Sequence, residues 1–188
     1  IKYYNAKFDV DYFASTSHKI KFGAQYIYHT FYPSVVSGNQ DSVVFHPANI
    51  QKKYANELGI YIQDDWDVNK RIKINYGLRY SMFQQVGPYT AYGKDANGNK
   101  LDSTVYGSGQ NVKTYGGLEP RFTIRYSLND NSSRKASVAR NLQYIHLVSS
   151  AGTTLSTDIW VPSTYRVKPQ DGLLYAGGYF RNFSNNMF

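Results

Sequence analysis

Asn56-Glu57-Leu58-Gly59-Ile60-Tyr61-Ile62-Gln63-Asp64-Asp65-Trp66, then Asp67-Val68-Asn69-Lys70, then Arg71-Ile72-Lys73-Ile74-Asn75-Tyr76-Gly77-Leu78-Arg79-Tyr80-Ser81, is the stretch whose reading decides the fold. Leu58, Ile60 and Ile62, with Trp66 at the end, alternate with Glu57, Gly59, Tyr61, Gln63 and Asp65. Beyond the polar break, Ile72, Ile74, Tyr76, Leu78 and Tyr80 alternate with Arg71, Lys73, Asn75, Gly77, Arg79 and Ser81. Successive side chains of a strand point to opposite faces, so a period of two gives each run one apolar and one polar face. Two such runs joined by a short polar turn predict an antiparallel hairpin.

The pattern continues in both directions. Tyr4, Ala6, Phe8, Val10 and Tyr12 alternate with Asn5, Lys7, Asp9 and Asp11; after Ser15-Thr16-Ser17-His18, the residues Ile20, Phe22, Ala24, Tyr26 and Tyr28 alternate with Lys19, Lys21, Gly23, Gln25 and His29. Leu118, Phe122, Ile124, Tyr126 and Leu128 stand opposite Glu119, Arg121, Thr123 and Arg125, up to a polar break at 129–133. A weaker strand, interrupted by Arg140, is expected over 135–146, and another over 173–183. Between the hairpins lie about 20 residues (33–52), about 35 (83–117) and about 25 (147–171). Short connections alternating with long ones are the layout of a membrane barrel with short periplasmic turns and long extracellular loops. Long loops of this kind also count against a compact soluble domain. The apolar strips, with Tyr28, Tyr32, Trp66 and Tyr80 read near their ends, match the aromatic girdles of such a wall at the membrane interface. The expectation is an all-β chain: an antiparallel transmembrane β-barrel segment. The alternative is a soluble antiparallel sandwich whose even faces pack on a second sheet, a fold that would bury more Leu, Val and Ile and fewer tyrosines.

Composition agrees with a wall. The chain has 188 residues with 19 tyrosines, 16% aromatic against only 18% charged, which is little charge to coat a soluble domain. A hydrophobic content of 41% excludes a disordered tail, and the absence of cysteine excludes a disulfide scaffold, a thiolate nucleophile and a thiolate metal site. No apolar run is long enough for a membrane helix, and a mean hydropathy of −0.52 alone would point to a soluble protein. Barrel strands average their two faces, so that index is blind to them. The net charge of +8 raises nucleic acid as a partner, but the basic residues are spread strand by strand over one face without a cluster, so no nucleic acid is expected. They are read as lining a wet lumen, with Lys21, Arg71, Lys73, Arg79, Arg121 and Arg125, and Asp65 among them, as the inward-facing residues. Pairing Trp66 with Ile72 would set Asp65 opposite Lys73 and Gly59 opposite Arg79; a slip by two would pair Asp65 with Arg71, so the charge match survives either register.

Catalytic readings find no support, and the chain is not expected to be an enzyme or to hold a metal or cofactor. His18, His29, His46 and His146 are scattered without metal-ligand spacing, and no nucleophile motif, phosphate loop or zinc-protease motif is present. Asp64 and Asp65 are adjacent on a strand, so they point to opposite faces. Asp95-Ala96-Asn97-Gly98-Asn99 starts like a calcium loop but lacks the glycine at its sixth position and the distal Glu, and Asn-Gly is a tight-turn signal.

Asn56 to Trp66 with its QDDW, then Ile74-Asn75-Tyr76-Gly77-Leu78-Arg79-Tyr80, resembles the YxQDxW…NxGLRY hairpin of TonB-dependent outer-membrane receptors. Leu118-Glu119-Pro120-Arg121 is similar to an xxEPR strand of that family, and Lys168-Pro169-Gln170 with Gly178-Tyr179-Phe180-Arg181-Asn182-Phe183 to a later barrel strand. The resemblance covers about residues 54–183 and implies membership of a 22-stranded barrel filled by an N-terminal plug, importing ligands with energy passed on through TonB. Signal peptide, TonB box and Gly-rich plug are not seen ahead of the strands, and about seven strands do not close such a barrel. The chain ends in Phe188, but Ser184-Asn185-Asn186-Met187 lacks the alternation expected before a final ring. The expectation is therefore an internal barrel piece, 1–188, with the plug lying elsewhere. Its implied partners are outer-membrane lipid and lipopolysaccharide, its own plug and remaining strands, TonB through the missing N-terminal part, and a surface lipoprotein; its implied location is the outer membrane.

For a ligand, the loop aromatics Tyr89, Tyr92, Tyr106, Tyr115, Trp160 and Tyr165 are the candidates, since rings stack on sugars and on apolar ligand faces. Three functions stand open: uptake of a glycan, peptide or metal chelate by a receptor; a barrel that scaffolds a complex without transport; and a secreted soluble domain that binds glycans.

Overall fold

The computed structural model describes residues 1–32, 39–40, 43–44, 51–94, 100–148 and 159–183. Its strands are β1 (Lys2–Phe13), β2 (His18–Phe31), β3 (Asn39–Gln40), β4 (Val43–Val44), β5 (Lys53–Asp67), β6 (Ile72–Val86), β7 (Tyr89–Lys94), β8 (Lys100–Tyr106), β9 (Asn111–Asn129), β10 (Ser132–Gln143), β11 (Ile145–Val148), β12 (Ile159–Pro162) and β13 (Gln170–Arg181). Seven long strands form one sheet in the order β1-β2-β5-β6-β9-β10-β13, every neighbour antiparallel. It is an open up-and-down meander, with β1 and β13 at its edges. The short turns 14–17, 68–71 and 130–131 lie at one end, and the long connections at the other.

The turns are held by their own polar side chains. Asn69 Oδ1 accepts from the Arg71 and Ile72 amides at 2.8 and 2.9 Å, and Asn129 Oδ1 accepts from the Asn131 amide at 3.1 Å. Asx turns of this kind let the chain reverse without spending ladder bonds.

The hairpin register differs from the sequence expectation. Trp66 faces Ile74, Asp65 faces Asn75, Tyr61 faces Arg79, and Asp67 faces Lys73. The strands run on to Asp67 and start at Ile72, so the four-residue turn shifts the pairing by two, away from the register that would pair Asp65 with Arg71. A shift by two leaves each residue on its face and changes only its neighbours. The long connections also differ: β6 extends to Val86 and β9 begins at Asn111, and the connections carry the small hairpins β3–β4, β7–β8 and β11–β12. Because β6 continues past Ser81, Tyr80 lies in mid-strand opposite Ile60 rather than at an end.

Packing is concentrated at the long-connection end. Phe31, Ala55, Phe83 and Tyr144 are buried together, with Tyr115, Leu142 and Ile145 against them. The Phe83 and Tyr144 rings stack at 5.2 Å, and the Tyr144 hydroxyl lies 2.8 Å from Ser81 Oγ. The Ser163 amide donates to the Tyr144 carbonyl at 2.7 Å, and the Tyr115 hydroxyl donates to the Thr164 carbonyl at 2.8 Å. The connection after β10 is thereby bound to the rings of β6 and β9.

Candidate functional site

Alternation sorts the sheet into two faces of different chemistry. Phe8, Ile60, Ile62, Leu118 and Tyr175 on the apolar face are each exposed over about half of their surface or more, Tyr175 at 71%. Large apolar side chains stand exposed on this face of six of the seven strands, a surface that a soluble monomer rarely leaves open. The opposite face is concave: residues of all seven long strands, from Phe13 on β1 to Phe180 on β13, line one cavity of about 680 Å³ at the short-turn end. The sheet therefore curls around its polar side.

Close contacts across that concave face depend on small residues. The Tyr61 hydroxyl reaches over Gly23 of β2 to donate to Asp9 of β1, and a Cβ at Gly23 would sit 2.9 Å from that hydroxyl. The Arg79 guanidinium lies over Gly59, whose Cβ would come within 2.8 Å of Nη2. Glycine here makes room for a long side chain from the next strand.

The charges are partly matched. Lys7 pairs with Asp9 at 2.8 Å and Lys73 with Asp67 at 3.0 Å, while Arg79 Nε approaches Glu119 at 3.9 Å; His29 Nε2 is hydrogen-bonded to Glu57 at 3.0 Å. Asn75 donates to Asp65 at 2.5 Å. Lys21, Arg79 and Arg121 gather with Lys7, Gln25 and Tyr61 around a recess of about 220 Å³. Asp65, Lys73 and Arg125 line the larger cavity, joined by Lys19 and Lys135. Arg71 belongs to the turn and lines neither recess; its carbonyl accepts from the Ser127 amide at 2.8 Å.

On the apolar face, one carboxylate stands out. Asp64, 7% exposed, accepts from Tyr76 Oη at 3.0 Å and lies 2.7 Å from His18 Nδ1, and the His18 ring stacks on Trp66 at 5.3 Å. In residue order His18 carries no mark of a partner; the diagonal approach to Asp64 follows only from the pairing of β2 with β5. Tyr28 stacks on Tyr54 at 6.4 Å near the long-connection end, and the Lys52 ammonium sits 5.2 Å over Tyr32.

Three of the six loop rings, Tyr89, Tyr106 and Tyr165, come together, and the backbone of Tyr92 joins them. Tyr89 and Tyr106 are cross-strand partners in the β7–β8 hairpin and line a recess of about 340 Å³ with Gln51, Lys52, Tyr54 and Thr90. Tyr165 meets Tyr89 edge-on at 6.2 Å, Arg166 lies 5.1 Å over Tyr165, and its Nη2 donates to the Tyr92 carbonyl at 2.6 Å. Burial first, and then the neighbouring Tyr165, push the Tyr89 hydroxyl above the ordinary phenol range. Tyr115 instead braces the Thr164 segment, and Trp160, 49% exposed, faces Leu147 in the β11–β12 hairpin outside that recess. His46, the segment 95–99 and the end of the chain from Ser184 lie outside the described residues.

Comparison with curated proteins and with solved structures returns no match. Residues 13–142, about two thirds of the chain, match the family described as Outer membrane beta barrel domain. The apolar face is then the lipid-facing wall, and the concave polar face the barrel interior. The match, the antiparallel meander and the short-turn, long-connection layout agree: this chain belongs to the outer membrane beta barrel domain family, and its place is the outer membrane.

Proposed function

We propose that the chain forms part of the wall of a TonB-dependent receptor and serves uptake of a nutrient ligand, a glycan, peptide or metal chelate, across the outer membrane. The observation that carries this reading is the ring-lined recess of Tyr54, Tyr89 and Tyr106 at the long-connection end of a wall whose interior face is polar and charged. A barrel that only anchors a complex has no need of such a recess. The QDDW and GLRY hairpin supports the same family. In this reading the remaining strands and a plug belong to the same polypeptide, the plug meets the concave face, and the long connections meet lipopolysaccharide and a surface lipoprotein.

Growth tests this directly. Strains lacking the gene, or lacking TonB, are grown on single glycans, peptides and ferric chelates as sole sources. The expected outcome is that both deletions abolish growth on the same substrate. Growth lost with the gene but kept without TonB overturns energised uptake and favours the scaffold. Within the receptor, Tyr89→Ala and Tyr106→Ala should each weaken binding of that substrate about tenfold, the effect of removing one well-packed ring.

A further inference from the structure

Across β5, β6, β9 and β10, the concave face carries one row in direct register: Asp67, Lys73, Arg125, Lys135. Three cations therefore stand side by side on consecutive strands, an arrangement that repels. Asp67 holds Lys73 at 3.0 Å. Arg125 and Lys135 make no side-chain hydrogen bond or ion pair among the described residues, and Asp65, the nearest other acid of the cavity, is bonded to Asn75 at 2.5 Å. Lys19 of the same cavity has its own acid, Asp11, at 3.7 Å. The other charged pairs in direct register on this face, Asp11 with Lys21, Lys19 with Asp65 and Arg79 with Glu119, are of opposite sign, so the row departs from the pairing the other strands keep, and such breaks concentrate at functional sites. The row also borders the cavity of about 680 Å³, whose other walls include the rings of Phe13 and Phe180.

We propose that Lys73, Arg125 and Lys135 form an oxyanion site at the short-turn end of the barrel interior, which takes a phosphate or carboxylate group attached to an apolar portion. The oxygens bridge Arg125 and Lys135, with Lys73 as the third donor shared with Asp67. Arginine supplies a planar fork that matches two oxygens, and lysine a mobile point charge. The apolar portion lies against Phe13 and Phe180. The inference rests on the register and the cavity alone and holds whether the barrel transports or anchors.

The test uses the full-length protein in phosphatidylcholine vesicles, titrated with inorganic phosphate and with phenyl phosphate against chloride of equal ionic strength. The wild type should bind phenyl phosphate several-fold more tightly than inorganic phosphate. Arg125→Gln and Lys135→Gln should each weaken it about tenfold, as loss of a charged hydrogen bond does, and Arg125→Lys should recover part of it. In anion-poor buffer, the same glutamine variants should unfold about 2–4 °C higher than the wild type, because repulsion is relieved. If anionic phosphatidylglycerol vesicles raise the unfolding temperature through Arg125 and Lys135 without added phosphate, a lipid headgroup is the source of the anion; if only phenyl phosphate does so, a free solute is. No response of the wild type to any of these anions, which is also what internal carboxylates covering the row would produce, overturns the proposal. So does a loss of stability in the glutamine variants before any anion is added.

Discussion

Asp64 is a carboxylate on the lipid-facing strip, a place where a charge is expensive and needs donors. Tyr76 and His18 both meet its Oδ2 from the strands on either side, while Oδ1 is buried without a partner among the described residues. Asp64→Ala leaves both groups unpartnered at low dielectric and should destabilise the wall by about 1–3 kcal/mol, the cost of an unmade buried hydrogen bond. Asp64→Asn keeps an acceptor for Tyr76 and should lose less. Denaturant unfolding in vesicles reads both, and equal stability of the alanine variant and the wild type would show that the triad contributes nothing. Gly23 presents the reverse situation, a residue that matters for what it lacks. Gly23→Val places methyls where the Tyr61 hydroxyl crosses to Asp9, and should remove that link and lower stability by about 1–3 kcal/mol in the same assay.

A strand of this sheet has two solvents, and its substitutions should follow the face. Ile60 sits at the middle of β5 with 49% of its surface open on the apolar side. Ile60→Arg should cost about 2–4 kcal/mol, as a cation at the bilayer midplane does. Gln63, three residues on and on the concave face beside Lys21 and Arg121, should accept Glu with no loss, because the new charge meets cations and water. Measured stabilities in the opposite order would mean that the two faces are wrongly assigned. The turns are part of the same logic: Asn69 accepts two amides at once, and that capacity sets where β5 ends and β6 begins.

For the molecule, the long-connection end and the short-turn end are built differently. The first is sealed by Phe83 stacked on Tyr144 and by the bonds of Ser163 and Thr164; the second opens into the cavity. Tyr144→Ala should release the segment after β10 and make it the first site of proteolytic cleavage in intact cells, while the sheet persists; unchanged cleavage would show that the ring does not hold the connection. The mutation removes a ring 4% exposed, and large aromatic truncations of this kind cost about 3–5 kcal/mol.

Much of the wall is legible in the order of residues. The period-two alternation is local, and transfer of apolar side chains away from water acts on each residue separately, so the long strands, their two faces and the end that carries the long connections follow from residue order. Tyr89 and Tyr106 were legible as loop rings for the same reason. What alternation cannot carry is anything unchanged by a shift of two. The register of β5 on β6, the partner of Asp64, the mid-strand position of Tyr80 and the row of Lys73, Arg125 and Lys135 all depend on which residue lies opposite which, and that is decided by turns, strand ends and contacts between segments distant in sequence. Lys135 and Phe180 had no local mark as a site. Residue order determined the solvent of each side chain; the assembled sheet alone determined its neighbour, because pairing is a long-range choice and burial a local one.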